Sequence, residues 1–358
     1  MTSDPDGPGV GQLAALILAL SAAGAMGFDQ PPAPRASSAW GPGWITATAG
    51  ARLAATRTAV AIRDATATAA AMPTVTPTPS PAPAFSGAVG EGEAVEGVMV
   101  DAPAPYFTFG RPFAPANETR ASRFYPYGTT ADGAYLLHHG VDIGNAMGTP
   151  VLAIADGEVV FAGLDLDPDR WGPQPDFYGR LVVLRHPQTV DGLPLFSLYG
   201  HVSETTVAVG QAVARGDTIA RVGSAGVALG PHLHLEVRVG PSPADYGRTR
   251  NAELFLAPLA GHGTIVGRVV DAAGRPISGI TLGLYAVEAS GQERWVGQST
   301  TYPPRNVNPS PAFEENFLFA DTPAGRYVVS AIVAGRRVAA TARVTDGGVV
   351  GVELRASP

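Results

Sequence analysis

From Tyr106 onward the chain is written in short apolar runs separated by Gly, Pro and Asp. Gly157-Glu-Val-Val-Phe-Ala-Gly163, Leu181-Val-Val-Leu-Arg185 and Phe196-Ser-Leu-Tyr199 are typical. Runs of this length, rich in β-branched and aromatic residues and bounded by turn formers, predict antiparallel strands. No long helical periodicity interrupts them. The cleanest pattern is His232-Leu-His-Leu-Glu-Val-Arg-Val239, which alternates polar and apolar as a half-buried strand does. Leu233, Leu235, Val237 and Val239 then point to one buried face. His232, His234 and Glu236 share the other. The two His Cα atoms lie roughly 6.5–7 Å apart along such a strand. A second β-rich unit begins near Thr264, with Ile265–Asp271, Ile280–Tyr285, Phe317–Phe319, Gly325–Ser330 and Val349–Leu354 as its strands. That pattern predicts a β-sandwich of about 90 residues. Ala260-Gly-His-Gly263 joins the two units, and its glycines predict a short flexible hinge.

The N-terminal part has a different texture. Leu13–Phe28 is an apolar stretch of 16 residues, shorter than the roughly 20 that span a bilayer. It fits the core of a signal peptide, with Ala23-Gly24-Ala25 as a small-x-small cleavage site. Met1–Gln12 holds two Asp and neither Lys nor Arg, so the positive flank of an ordinary signal is missing. Residues 1–28 are therefore expected to be a signal peptide or membrane anchor, with a buried apolar helix as the alternative. Residues 29–100 are rich in Ala, Thr, Pro and Gly. Thr74–Pro83 (TVTPTPSPAP) favours extended, polyproline-like chain, and Ala51–Met72 is an Ala-rich helix or stalk.

Length and composition narrow the chemistry. A chain of 358 residues accommodates two or three structural units. The net charge of −7 offers no basic stripe for nucleic acid. All 24 cationic side chains are Arg, which reads as a coding bias because no Arg cluster stands out. There is no Cys, so disulfides and thiolate metal sites are excluded. A transition-metal site must then use carboxylates and the seven His. Five of these fall in three clusters, His138-His139-Gly-Val-Asp142, Tyr199-Gly-His201 and Gly230-Pro-His232-Leu-His234. In an extended segment His138 and Asp142 share a face and His139 points away. One imidazole and one carboxylate, with a third ligand from another strand, make a catalytic zinc site that keeps a position for water. Of His232 and His234, one can hold the metal while its neighbour stands beside the open position.

Taken together and in order, these clusters resemble the lysostaphin-type (LytM-like, β-lytic) zinc metallopeptidases. The matching stretches are His138-His-Gly-Val-Asp142, Gly148-Thr-Pro-Val151, Asp156-Gly-Glu-Val159, Tyr199-Gly-His-Val-Ser203, Gly210–Gly216, Gly230-Pro-His-Leu-His-Leu-Glu236 and Asn251-Ala-Glu-Leu-Phe255. The resemblance implies His138, Asp142 and His234 as ligands of Zn2+, with His201 and His232 as the catalytic pair beside the metal water. It implies a zinc-dependent endopeptidase that hydrolyses peptide bonds of peptidoglycan cross-links or stem peptides. The alternative is a non-hydrolytic cell-wall binding protein or an activator of another wall hydrolase. Peptidoglycan peptides are the expected partner, nucleic acid is not, and the location is exported, at the cell surface, membrane-anchored or secreted.

The expected fold is therefore mainly β, an antiparallel β-sheet peptidase domain (101–258) plus a C-terminal β-sandwich (264–356), behind a disordered or helical stalk. The sandwich resembles carboxypeptidase-regulatory-like, transthyretin-like modules through Gly267–Gly279 and Pro323-Ala-Gly-Arg-Tyr327, which implies an accessory, surface-binding or spacing role. Glu236 is expected either to orient a ligand or to serve a structural hydrogen bond. His186 reads as a surface or turn residue and His262 as linker. Tyr125, Tyr127 and Tyr135 read as aromatic packing. Asp165–Asp176 (DLDPDRWGPQPD) lacks the Gly and terminal Glu of a calcium loop. It reads as a solvated groove rim, with Trp171 and Phe177 lining the groove.

Overall fold

The computed structural model describes residues 95–131, 133–166, 171–303 and 307–356. The apolar segment 13–28 and the stalk up to residue 94 lie outside the described residues, as do Asp167 and Asp169. Among the described residues no helix is long and apolar enough to cross a membrane. The described residues all belong to one compact unit, Ala70–Pro358. They are nearly all β, with two short 3-10 turns at Tyr246–Arg248 and Ala252–Leu254.

The first half is built on a seven-stranded sheet. Its order is Thr249–Arg250, His232–Val239, Leu193–Gly200, Arg180–Val190, Gly157–Leu164 and Ala212–Val213, with Val141–Gly144 also paired to His232–Val239. A smaller sheet of Pro150–Leu152, Thr218–Val222 and Val202–Thr205 packs with it. The unbroken apolar run Leu181-Val-Val-Leu184 has a physical reason. Val182 and Leu184 enter the main core, while Leu181 and Val183 join Trp171, Tyr178, Phe196 and Leu198 on the other face. A strand covered on both faces reads as continuously apolar. Along His232–Val239 the four apolar positions are fully buried in the main core, each contributing about 1.5–3 kcal/mol relative to exposure.

Register is what assembles the site. His234 lies directly opposite Asp142 on one neighbouring strand and Gly200 on the other. His201 follows Gly200, so the strand pairing brings three of the His-bearing segments to one end of the sheet.

The second half is a sandwich. One sheet runs Val95–Glu96, Arg336–Val344, Gly325–Val333, Thr281–Val287, Glu293–Thr300, and the other Phe317–Pro323, His262–Val270, Val349–Arg355, Val98–Met99. Residues 95–99 read from sequence as the end of the linker. They form instead the edge strands of both sheets, so the sandwich is closed by chain that precedes the first half. The expected hinge is also absent. A strand begins at His262, Gly263 is buried, and His262 Nε2 lies 3.3 Å from Arg120. The two halves share one apolar core, in which Val266, Tyr302, Val307, Leu318 and Val349 pack with Phe109, Tyr127 and Phe255. Arg111 spans the boundary with bonds of 2.5 and 2.8 Å to the Asp321 carboxylate.

Candidate metal centre

Three side chains converge where Val141–Gly144 meets His232–Val239. His138 Nε2 lies 3.2 Å from Asp142 Oδ1 and 3.2 Å from His234 Nδ1, and His234 Nδ1 lies 2.9 Å from Asp142 Oδ1. Tetrahedral zinc with bonds of 2.0–2.1 Å sets its ligand atoms about 3.3 Å apart. The donor set therefore fits such an ion with little movement. Both imidazoles are presented through the nitrogen that faces the cluster. His138 Nδ1 donates to the Tyr125 carbonyl at 2.6 Å, which leaves Nε2 as the ligand atom. His234 Nε2 faces Glu236 Oε1 at 3.1 Å, which leaves Nδ1. Bonds of this kind fix ring orientation and ligand basicity. The glycine of His138-His-Gly-Val-Asp142 has a steric reason. A Cβ on Gly140 would lie 2.6 Å from His234 Nε2 and 2.6 Å from the Leu235 carbonyl.

Burial lowers the His234 pKa, but Asp142 and Glu236 on its two nitrogens outweigh that and lift it to about 9. Burial likewise raises Asp142, yet His138 and His234 hold its carboxyl well below the ordinary range. A cation held by these three groups takes the place of the proton on His234 Nδ1.

His201 and His232 stand beside the cluster. The His201 ring lies 4.9 Å from that of His232 and 5.6 Å from that of His234, and His232 Nε2 is 3.6 Å from Asp142 Oδ1. His201 Nδ1 donates to the Ala225 carbonyl and His232 Nδ1 to that of Gly230, each at 2.8 Å. Each ring thus keeps an unprotonated Nε2. Burial pushes His201 down to about 3, helped by His232 and His234, and burial lowers His232 too. His201 sits at φ +61°, a conformation that non-glycine residues seldom adopt and that clusters at functional sites.

Sequence reasoning placed Glu236 near the ligands but missed what surrounds it. The polar face of His232–Val239 is not solvated. Glu236 and Arg238 are fully buried, and Arg238 Nε donates to Glu236 Oε2 at 2.7 Å. Tyr178 donates to Glu236 Oε1, and Arg238 also bonds the Tyr178 hydroxyl at 3.1 Å and the Trp171 carbonyl at 2.9 Å. Arg238 shares strand parity with His234 and Glu236, a signal present in the sequence. Nothing in the sequence pointed to Tyr178, which comes from a distant loop.

Several other expectations change. His186 is buried at 4% exposure, because its strand continues to Val190 and its nitrogens bond the Asp156 carbonyl and Ser197 Oγ, each at 2.8 Å. Asp165 and Trp171 form no groove rim. Asp165 is buried and accepts the Tyr178 and Trp171 amides, while Trp171 packs on Phe161. Phe177 is half-buried against Tyr178 and Tyr246. The expected placements of His139 and the three tyrosines hold: His139 points away from the cluster and stacks on Tyr246 at 3.8 Å. Tyr125 stacks on His138 at 3.9 Å, Tyr135 packs on Tyr125 at 5.3 Å, and Tyr127 is buried in the core.

This end of the sheet presents two imidazoles and a carboxylate around one point, with two further imidazoles beside them, and the first three form a group that could hold a metal ion. Residues 136–246 match Peptidase family M23, and this part of the chain is a LytM-like domain of that family. It is 38% identical over 109 residues to the DD-carboxypeptidase/endopeptidase Mpg of Neisseria meningitidis serogroup B, covering 30% of this chain and 22% of that protein. It is 35% identical over 123 residues to the peptidoglycan DD-endopeptidase ShyA of Vibrio cholerae, covering 34% of this chain and 24% of that protein. Among solved structures it is similar to the catalytic domain of the antimicrobial peptidase lysostaphin from Staphylococcus simulans. That likeness has 31% identity and a TM-score of 0.28, and covers 36% of this chain and 85% of that one. The chain spans less than a quarter of the length of the two curated relatives. The matched residues include none of the sandwich strands.

Proposed function

We propose that the protein is a zinc-dependent endopeptidase of the cell envelope that hydrolyses peptide bonds in peptidoglycan. The observation that carries this reading is the convergence of His138 Nε2, Asp142 Oδ1 and His234 Nδ1 within 2.9–3.2 Å of one another. Two relatives, one named as a peptidoglycan endopeptidase, support the substrate class.

In this reading His138, Asp142 and His234 hold the ion. Bound zinc supplies Lewis acidity toward the scissile carbonyl and a lowered pKa for water. His201 and His232 do the proton work. Both are neutral at working pH because burial depresses their pKa values. A neutral Nε2 accepts a proton from the attacking water and returns it to the leaving amine. The carbonyls of Ala225 and Gly230 keep the two rings in that tautomer. Exposed Leu136, Val227 and Leu229, close in sequence to His138 and His232, offer an uncharged surface to a peptide strand.

Purified full-length chain incubated with defined peptidoglycans is the direct test, with released fragments identified by mass spectrometry. Chelation or His234→Ala is expected to lower cleavage by more than about 1000-fold, since a metal contributes several kcal/mol to the transition state. Cleavage that persists after either treatment sinks the metal mechanism. One equivalent of zinc with no cleavage of any peptidoglycan supports the non-hydrolytic alternative.

A further inference from the structure

We propose that the C-terminal sandwich holds the metal ligand His138 in place, with Tyr302 and Asn308 as positioning residues. The inference rests on the metal-site reading above. The three ligands are not supported alike. Asp142 and His234 lie on strands paired to each other. His138 precedes the strand and depends on the irregular segment Tyr125–Thr129. Its Nδ1 donates to the Tyr125 carbonyl, its carbonyl accepts from Gly128 N at 2.9 Å, and its amide donates to the Thr129 carbonyl at 2.9 Å. The Tyr125 ring stacks on it within 5° of parallel.

What holds that segment comes from the other half of the molecule. Gly128 has φ +76°, and a Cβ there would lie 2.8 Å from the Tyr302 ring, so the sandwich presses directly on the cradle backbone. The Tyr127 ring meets Tyr302 edge-on at 5.2 Å. The Tyr127 hydroxyl accepts from Asn308 N at 3.0 Å and lies 3.3 Å from Thr249 Oγ1. Asn308 Nδ2 donates to the carbonyls of Gly247 and Thr249 at 2.9 Å each. Thr249 Oγ1 in turn faces His139 Nδ1 at 3.3 Å, next in sequence to the ligand. Tyr302 and Asn308 thus clamp the cradle of His138 between the two halves. A peptidase half without this clamp keeps two ligands ordered by strand pairing and loses order at the third.

The test compares full-length variants by zinc affinity, measured in competition with a chelator, and by the visible spectrum of the cobalt-substituted protein, which reports coordination geometry. Tyr302→Ala and Asn308→Ala are each expected to weaken zinc binding by about 10-fold, the lower end for residues that orient ligands, and to shift the cobalt bands. Tyr302→Phe keeps the ring against Gly128 and is expected to restore both readouts. Arg337→Ala, which removes a salt bridge to Glu293 elsewhere in the sandwich, is expected to change neither. Folded Asn308→Ala or Tyr302→Ala with wild-type affinity and spectrum overturns the proposal. So does an equal loss in Arg337→Ala, which marks general destabilisation. If Tyr302→Ala fails to fold, Asn308→Ala decides. Zinc bound tightly by the unaltered chain, with unmoved variants, overturns only this proposal. No zinc bound by the unaltered chain overturns the metal-site reading as well.

Discussion

Two central strands, one in each half, bury one face in a core and differ in what covers the other. His232–Val239 buries Leu233, Leu235, Val237 and Val239 in its core, and Gly325–Val333 buries Tyr327, Val329, Ala331 and Val333 in the sandwich. Their other faces differ. In the sandwich, Arg326 and Ile332 at the two ends of that face are exposed, while Val328 and Ser330 between them are buried without a charged group on the strand. In the first half, His234, Glu236 and Arg238 are covered by Tyr178 and Trp171 and satisfied by one another. Burying charge is costly unless every group is paired. A fold that assembles a Tyr–Glu–Arg network behind one imidazole uses stability to fix that imidazole, and among the described residues no such network stands behind the sandwich strand. The difference separates a strand that only holds a core from one that also orients a side chain of the candidate metal centre.

The sharpest way to break this contrast is to remove one partner. Arg238→Met leaves the Glu236 carboxylate buried beside Tyr178 without its cation. The expected loss is about 3–5 kcal/mol in denaturant unfolding, as for other buried pairs broken on one side. Pairing it with Glu236→Gln is expected to recover part of that loss, while zinc affinity stays about 10-fold or more below wild type because His234 has lost its anionic partner. Arg238→Met at wild-type stability would mean that the network does not anchor His234.

A second comparison sets two buried carboxylates side by side. Burial raises Glu236, but Arg238 and His234 outweigh it and hold it well below the usual range. Glu315, near the boundary between the halves, is lifted by burial from 4.5 to about 7, with the Ser310 amide and hydroxyl only partly opposing this. One of its oxygens, Oε1, has no hydrogen-bond partner among the described residues. Between pH 4.5 and about 7 the folded chain keeps a proton that the unfolded chain has released. Glu315 therefore costs nothing below about pH 4.5, and its destabilising contribution grows through that window to at most about 3 kcal/mol. Glu315→Gln carries no charge and is expected to flatten that part of the stability profile, measured by urea unfolding at pH 5 and pH 8. An unchanged difference between the two pH values would show that Glu315 does not titrate in this way.

The mainly β character, the alternation of His232–Val239 and the shared face of His232, His234 and Glu236 were legible because each depends only on local period and residue type. Their partners were not. Tyr178 reaches Glu236 across 58 residues and Tyr302 reaches Asn251 across 51, and no local pattern encodes such contacts. His186 misled for a related reason. A polar residue after an apolar run reads as a turn, yet the strand continues and Ser197 on the neighbouring strand satisfies the ring. The Gly261 and Gly263 pair misled because glycine marks close packing as well as freedom, and here Gly263 is buried within a strand.

The smallest effect tests the other side of the first comparison. Arg326 occupies in Gly325–Val333 the outward parity that Arg238 occupies in His232–Val239, and it is exposed. Arg326→Met exchanges one long side chain for another of similar reach without stranding a buried charge. Stability is expected to stay within about 0.5 kcal/mol of wild type, as for surface positions without special contacts, and zinc affinity is expected to be unchanged. The same chemical substitution on two central strands then gives effects roughly tenfold apart in free energy. A loss at Arg326 comparable to that at Arg238 would mean that the outer face of the sandwich is also held by a charge network, and the distinction between a strand that holds a core and one that orients a ligand would have to be drawn elsewhere.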